Sequence, residues 1–139
     1  TTSTFGVGTD YSVNGNFNYC AYVKANVQGF SRYGRYTGNG NADGTFVYTG
    51  FRPAWIIIKA TDSTQTWWMH DNKRDVDNVV EHNLGANLSS AEDDDYPVID
   101  FLSNGFKIRG AGGGRINELT GDYMYGAWGD VPTKYGNAF

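Results

Sequence analysis

The side chains that could perform catalysis in this sequence are few. His70 and His82 are the only histidines among 139 residues, and Cys20 is the only cysteine. A nucleophilic Cys/His pair would bring Cys20 beside a histidine, but Cys20 lies on a predicted strand far from both in sequence. There is no Gly-x-Ser-x-Gly elbow, no His-Glu-x-x-His motif and no phosphate-binding loop that ends in Lys-Ser or Lys-Thr. We therefore expect no catalytic site and no cofactor.

Aromatic side chains beside polar groups form a candidate glycan-binding site. Sugars present apolar C–H faces that stack on Trp and Tyr rings, while their hydroxyl groups bind Asp, Asn and Arg. The predicted contacts are Trp67, Trp68, Tyr96 and Trp128 for stacking, with Asp71, Asn72 and Arg74 as polar neighbours. The alternative is that these tryptophans fill the core or a subunit interface.

Two acidic segments could supply oxygen ligands to Ca²⁺. The first contains the weak candidates Asp93, Asp94 and Asp95, and the second covers residues 71–77. Neither matches the twelve-residue calcium loop, and an acidic run is more often a solvated loop. We therefore expect no metal site.

The composition favours an all-β protein without nucleic-acid or membrane partners. Nineteen glycines occur with 10 tyrosines, 8 phenylalanines and 4 tryptophans, a mixture typical of short strands and tight turns. The formal net charge is −4, which argues against general binding of polyanions such as nucleic acid. No apolar run approaches the roughly 18 to 20 residues that span a bilayer, so we expect a soluble module that does not insert into membranes.

Residues 46–71 are the predicted centre of the fold. Residues 54–59 (AWIIIK) carry β-branched and aromatic groups on both faces, as in a strand in the middle of a sheet. Residues 66–71 follow after a polar connection of hairpin length at residues 62–65. Trp67 and Trp68 are adjacent, so they must point to opposite faces of their strand.

The other predicted elements surround this hairpin. Residues 17–27 alternate apolar and polar side chains and predict a half-buried strand, and residues 30–37 predict another. A long connection at about 72–96 has helical spacing at Val79, Val80 and Leu84, which allows one helical turn. A second hairpin surrounds Asn104-Gly105 between residues 97–102 and 106–109. Residues 116–119 predict a short strand and residues 122–131 the last long one.

These elements predict an antiparallel two-sheet sandwich at residues 17–139, preceded by an N-terminal arm or edge strand at residues 1–16. Residues 18–34 also resemble residues 122–136 weakly. Either the first and last long strands are neighbours in one sandwich, or residues 1–36 belong to a preceding tandem repeat.

Residues 36–55 (YTGNGNADGTFVYTGFRPAW) resemble the opening of an uncharacterised module that recurs in tail-fibre and other virion proteins of tailed bacteriophages. The resemblance continues at residues 70–74, 99–109 and 123–138, and it covers about residues 17–139. It implies a concanavalin-like jelly-roll sandwich that is often repeated in tandem and attached to larger virion proteins. It supplies no catalytic or ligand-binding residue set.

Together these observations predict a noncatalytic structural module of a bacteriophage virion, in a fibre, tail appendage or capsid decoration. We expect an extracellular homo-oligomer that contacts other virion proteins or copies of itself and attaches to host-surface polysaccharide. The alternative is a self-assembling extracellular fibre or adhesin subunit. A third hypothesis is a glycan-active enzyme, because sandwich folds host glycosidases, although no spacing of carboxylates marks an acid and a nucleophile.

Overall fold

The computed structural model describes residues 4–94, 99–110 and 116–130 of the chain. Within these ranges the chain forms one short helix and strands that pair only in antiparallel fashion. The helix α1 is Tyr11–Asn14, and the strands are β1 Ser31–Thr37, β2 Phe46–Tyr48, β3 Pro53–Ala60, β4 Trp68–Asp71, β5 Leu84–Gly85, β6 Ile99–Leu102, β7 Gly105–Ile108 and β8 Asp122–Gly129.

Two sheets pack face to face. The larger sheet has five strands in the order β1-β8-β3-β4-β5, and the smaller has three in the order β2-β7-β6. The predicted all-β, antiparallel two-sheet sandwich is confirmed. Both predicted hairpins are also present, as β3 with β4 and β6 with β7.

Strand β3 is central in the larger sheet, as its sequence predicts. Strand β8 pairs along one side of β3 and strand β4 along the other. Ile56 and Ile58 are fully buried against the smaller sheet, while Trp55 and Ile57 point to the opposite face and are half-buried. Pro53 begins the strand, and the register with β8 shifts between Pro53 and Trp55. A first strand position suits proline because it has no N–H to donate to the ladder.

Aromatic contacts join the two sheets. Phe106 of β7 is fully buried, and its ring packs edge-on against Tyr125 of β8 at 5.3 Å and against Tyr36 of β1 at 6.2 Å between centroids. The Tyr36 hydroxyl donates a hydrogen bond of 2.8 Å to the carbonyl of Ile116. This bond satisfies the polar atom that Tyr36 carries into the interior. The core therefore depends on residues from both sheets, which include Val47, Ile56, Ile58, Ile99, Phe101, Phe106, Ile108, Tyr123 and Tyr125.

The long connection after β4 forms local structure instead of a helical turn. Val80 is buried and makes an isolated bridge to Ile99, and β5 pairs with β4. The Asn78 side chain accepts from the Phe101 N–H at 2.9 Å and donates to the Phe101 carbonyl at 3.1 Å. The prediction of a helical turn at Val79, Val80 and Leu84 is wrong, because Val79 lies in a bend, Val80 bridges to Ile99 and Leu84 belongs to β5.

The predicted strand at residues 17–27 is also wrong. Residues 17–26 have no strand partner among the described residues, and only Val27 forms an isolated bridge, to Ser31. No residue between 4 and 30 is buried. The Asn26 side chain, instead of a backbone carbonyl, accepts from the Tyr33 N–H at 2.7 Å. Alternation specifies the two faces of a strand, but pairing also needs a neighbour with free backbone groups.

The last strand is confirmed over most of its predicted length, since β8 ends at Gly129, while residues 131–139 lie outside the described ranges. Residues 97–98 of the second hairpin lie outside them as well. The short strand predicted at residues 116–119 is wrong, because Ile116 and Asn117 are buried without forming a ladder and a turn follows.

The first described residues contain helix α1. The Asp10 carboxylate caps it by accepting from the Ser12 N–H at 2.8 Å, and the Tyr11 ring packs edge-on against Phe17 at 5.3 Å. The division between an arm at 1–16 and a domain at 17–139 stays a prediction. No helix in the described part of the chain has the length and apolar character needed to cross a membrane.

Candidate functional site

The outer face of the five-stranded sheet carries the candidate site. Side chains alternate along each strand, so the neighbours of buried residues point away from the smaller sheet. In β8 the buried residues Tyr123, Tyr125 and Ala127 alternate with Met124 and Trp128, which are half-buried on the outer face. The outer face therefore presents side chains from four adjacent strands: Tyr33 and Arg35 of β1, Met124 and Trp128 of β8, Trp55 and Ile57 of β3, and Met69 of β4.

Three aromatic rings form a row across this face. Trp55 and Trp128 are cross-strand partners, and their ring centroids lie 4.4 Å apart at an interplanar angle of 37°. Tyr33 packs edge-on against Trp128 at 5.4 Å. Burial raises the pKa of the Tyr33 hydroxyl, and hydrogen bonds from Trp128 and Ser31 oppose this shift. The row therefore spans strands β1, β8 and β3, and its rings are fixed by their mutual packing.

Gly126 makes room for the rings. It lies between Tyr33 on β1 and Ile57 on β3 in the register of the sheet. A Cβ atom at this position would lie 2.9 Å from the Trp128 ring and 3.1 Å from the Tyr33 ring. Glycine thus lets both rings lie close to the backbone of β8 and leaves a depression between them.

The depression continues as an open groove of about 820 Å³. Its floor is formed by Ile57, Met124 and Gly126, and Trp67 bounds it near β4. Trp67 is 36% exposed, and its backbone is fixed by the Asn87 side chain, which accepts from its N–H at 3.0 Å. Tyr22 and Lys24, which belong to the segment before β1, also line the groove.

Among the described residues, the two charged groups that line the groove are both cations. Arg35 and Lys24 are exposed, and neither makes an ion pair or hydrogen bond with any residue in the described ranges. Asp71 shares the outer face beyond Trp55, and Asp122 shares it beyond Met124. Both carboxylates have partners of their own, which are Arg74 for Asp71 and the Thr37 hydroxyl for Asp122.

The structure separates the predicted glycan contacts. Trp67 and Trp128 line the groove. Trp68 is only 7% exposed and pairs with Ile58 on the buried face, so it is removed from the candidate contacts. The two tryptophans do point to opposite faces, as adjacent strand residues must. Tyr96 lies outside the described residues.

The predicted polar neighbours form a network at the end of β4 and do not line the groove. Asp71 accepts from the Arg74 guanidinium at 2.6 Å and 2.7 Å and from the backbone N–H groups of Lys73 and Arg74 at 2.9 Å. Arg74 also contacts Glu92 at 3.2 Å. Burial raises the pKa of Asp71, but hydrogen bonds from Arg74 and Lys73 outweigh it and leave that pKa below its usual value. Asn72 is half-buried and donates its N–H to the Ala54 carbonyl at 2.9 Å.

An Asp–His pair lies in the long connection. Asp75 contacts His82 Nδ1 at 2.7 Å and also accepts from the backbone N–H groups of Glu81 and His82. The hydrogen bond to Asp75 raises the pKa of His82. Such a pair orients the base of many hydrolases, but that base must also reach a nucleophile. Within the described part of the chain, no hydroxyl or thiol is hydrogen-bonded to His82.

His70 is the second histidine and lies inside the sandwich. It is fully buried opposite Ile56, and burial lowers its pKa to about 3, with a smaller contribution from Arg74. The carboxylates of Asp71 and Asp75 and the backbone of His82 oppose this shift weakly. Neither ring nitrogen has a partner with hydrogen-bond geometry among the described residues. His70 is therefore a neutral core residue at physiological pH.

The weak calcium candidates form no metal site within the described residues. Asp93 is half-buried and pairs through its backbone with Asn83, Asp94 is exposed, and Asp95 lies outside the described residues. In the ranges that the structure describes, no group of three or more His, Cys, Asp or Glu side chains could hold a metal ion.

Trp55, Tyr33 and Arg35 were not predicted as site residues. The sequence predicts the strands that carry them, but it does not show which face of each strand points away from the smaller sheet. The pairing registers of the strands bring these residues together, because Trp55 pairs directly with Trp128 and Tyr33 pairs with Gly126. Strands β1, β8 and β3 are distant in sequence, so their neighbourhood follows from the sheet order alone.

A family model described as "Domain of unknown function (DUF7483)" matches residues 1–132 of the chain. No curated protein and no solved structure matches it significantly.

Proposed function

Since the chain belongs to the family described as Domain of unknown function (DUF7483), we propose its function from its own surface and sequence. We propose that it is a noncatalytic structural module of a bacteriophage virion, located in a fibre, tail appendage or capsid decoration. In this proposal the outer face of the five-stranded sheet binds glycans of the host surface. The module acts in attachment and contains no reactive centre.

The aromatic row carries the binding part of the proposal. Trp55, Trp128 and Tyr33 present ring surface in a groove of about 820 Å³, within the range of roughly 300 to 1,000 Å³ typical of ligand sites. Apolar faces of sugars stack on such rings. Because the rings lie on three adjacent strands of the sheet and pack on one another, little conformational entropy would be lost on binding.

The virion location is supported by the resemblance of residues 36–55, 70–74, 99–109 and 123–138 to the phage module. The noncatalytic role is supported by the environment of the histidines. His70 is buried and His82 is paired with Asp75, while Cys20 is exposed on the segment before β1. Among the described residues, neither histidine is thus hydrogen-bonded to a hydroxyl or thiol that it could activate as a nucleophile.

Replacing Trp67 by alanine tests the groove. Trp67 is 36% exposed at the rim and lies outside the core between the sheets, so the variant is expected to stay folded with a modestly lower melting temperature. Loss of one stacking ring is expected to weaken glycan binding by about 3- to 10-fold. An aromatic contact contributes about 0.5–1.5 kcal/mol in addition to the free energy of burying its surface. Binding is measured on a glycan array and on whole bacterial cells, and affinities for the positive glycans are measured by titration.

Tyr48→Ala is the matched control. Tyr48 is 62% exposed on β2 of the smaller sheet, away from the groove, so its removal is expected to leave binding unchanged. Blank results on both the array and whole cells would overturn the proposed function. Equal losses in Trp67→Ala and Tyr48→Ala would exclude this groove as the binding face.

Assembly through the N-terminal residues is a second candidate function. Phe5, Val7, Tyr11 and Phe17 are 53–70% exposed, and Tyr22 and Val23 are more exposed still. Exposed large apolar side chains concentrated in one segment are typical of protein–protein contacts. This observation favours the self-assembling fibre or adhesin hypothesis as well as a homo-oligomeric virion module.

Deleting residues 1–13 is expected to weaken oligomers while the melting temperature of the isolated domain stays nearly the same. The physical reason is that none of residues 4–13 is buried, so their removal exposes little core. Sedimentation velocity measures the oligomers and calorimetry the melting temperature. A full-length variant with Phe5→Ser and Val7→Ser separates the loss of apolar contacts from the loss of length. An unchanged oligomer profile in both variants would contradict the assembly role.

A further inference from the structure

We infer that the groove selects acidic saccharides, whose carboxylate pairs with Arg35 and Lys24 while the sugar ring stacks on the aromatic row. This inference rests on the proposed glycan-binding function and names the class of glycan. It follows from the charges in the groove, which are positive although the chain carries a formal net charge of −4.

Arg35 is placed beside the stacking surface. It follows Tyr33 by two residues on β1, so both side chains point to the outer face, and their Cα atoms are about 7 Å apart at the usual rise of a strand. Its register partner is Met124, which forms the floor of the groove. This spacing allows a pyranose residue that stacks on the Tyr33 ring to bring its carboxyl group to the guanidinium.

Both cations of the groove are free to bind a ligand. Four other cations of the described residues have carboxylate partners: Lys73 with Asp130, Arg74 with Asp71 and Glu92, Lys107 with Asp43, and Arg109 with Asp100. Arg32, Arg52 and Lys59 have no carboxylate partner among the described residues, but they do not line the groove. Arg35 and Lys24 have none within the described ranges, and none of the described residues that line the groove carries a carboxylate. Two carboxylates on the same face of the sheet, Asp71 and Asp122, have partners of their own. A ligand carboxylate would therefore meet two cations without competition.

The guanidinium of Arg35 suits this role chemically. Arginine binds a carboxylate through two parallel N–H donors, and such charge-assisted pairs are roughly twice as strong as neutral hydrogen bonds. The ring row adds a contact that a simple polyanion cannot use. The groove thus discriminates by two criteria, which are a carboxylate and an apolar sugar face at the right separation.

The test compares acidic glycans with their carboxyl-reduced counterparts, which keep the ring and replace the carboxylate by a neutral CH₂OH group. The array contains uronic-acid and sialic-acid glycans in both forms, neutral glycans, and dextran sulfate as a polyanion. The acidic form of a bound glycan is expected to bind at least tenfold more tightly than its reduced form, the effect of one charge-assisted hydrogen bond. Arg35→Gln is expected to remove this preference, whereas Arg52→Gln, at an exposed arginine outside the groove, is expected to leave it unchanged.

The outcomes separate the two proposals. Equal binding of acidic and reduced forms, with no effect of Arg35→Gln, would overturn the acidic selectivity and leave glycan binding intact. Binding of dextran sulfate that Trp67→Ala does not weaken would show charge alone and would also overturn the inference. Concentration-dependent self-association through this face, abolished by Arg35→Gln or Trp67→Ala, with no glycan bound, would replace both proposals by an interface between copies. No binding to any glycan would overturn the proposed function itself.

Discussion

Lowering the pH from 6.5 to 4 is expected to remove about 3 kcal/mol from the free energy of unfolding through His70 alone. The pKa of this histidine is lowered to about 3 in the folded protein, because full burial disfavours its charged form. In the unfolded chain its pKa returns to about 6.5. The unfolded state therefore binds a proton that the folded state excludes throughout this interval, at about 1.4 kcal/mol for each pH unit.

The sign follows from the depressed pKa in the folded state. The contribution of His70 is fully present above the pKa of the unfolded state, and it is lost as the pH falls from 6.5 towards 3. Urea denaturation at a series of pH values measures the slope. His70→Leu, which replaces a buried imidazole by an apolar side chain of similar size, is expected to remove this part of the slope.

His82 serves as the matched control because its pKa shifts in the opposite direction. Asp75 raises the pKa of His82, so the stabilisation from this pair is present below pH 6.5 and is lost as the pH rises through the raised pKa. His82→Gln is therefore expected to alter the profile near and above neutrality while the acid slope from His70 persists. An acid slope that is the same in His70→Leu and in the wild type would show that His70 is not buried in the neutral form.

Replacing Phe106 by alanine is expected to destabilise the protein by about 3–5 kcal/mol. Phe106 is fully buried, and its ring contacts Tyr36 and Tyr125 of the opposite sheet. The substitution removes a large apolar side chain and leaves a cavity between the sheets. Since a domain of this size is stable by only about 5–15 kcal/mol, this is a large fraction of the total.

Phe46→Ala is the control for Phe106→Ala. Phe46 lies on the neighbouring strand β2 but is 44% exposed, so its removal is expected to cost much less. Phe106→Leu should cost an intermediate amount, because it fills part of the cavity. Chemical denaturation measures all three variants. Similar losses for Phe106→Ala and Phe46→Ala would mean that the two sheets do not pack through Phe106.

Most of the fold could be predicted because the strongest patterns are local. The AWIIIK run and the Asn104-Gly105 turn predict β3, β6 and β7 with their hairpins from side-chain types alone, and the structure confirms them. The failures share a cause. Residues 17–27 alternate as well as any strand, yet pairing depends on a neighbour that the local pattern does not specify. Val79, Val80 and Leu84 have helical spacing by coincidence, and the pairing of Val80 with Ile99 and of Leu84 with Met69 decides the local structure instead.

The candidate site was predicted in part, for the same reason. The sequence predicts Trp67 and Trp128 as glycan contacts because tryptophan rings stack on sugars, and both residues line the groove. Trp68 was selected with them, but its direction depends on which face of β4 meets the smaller sheet. Asp71 and Arg74 were expected to remain available for a ligand, and they bind each other instead.

By itself, the sequence determined the β-rich class of the protein, the central hairpin and the opposite directions of Trp67 and Trp68, because these follow from side-chain alternation within a few residues. Only the tertiary structure decided which tryptophan is buried and which rings form a row. Trp55, Trp128 and Tyr33 come from three separate parts of the chain, and they meet because the sheet order places β1, β8 and β3 side by side. The same order places Arg35 beside them, because long-range backbone pairing, which no local pattern encodes, sets the register of β1 against β8.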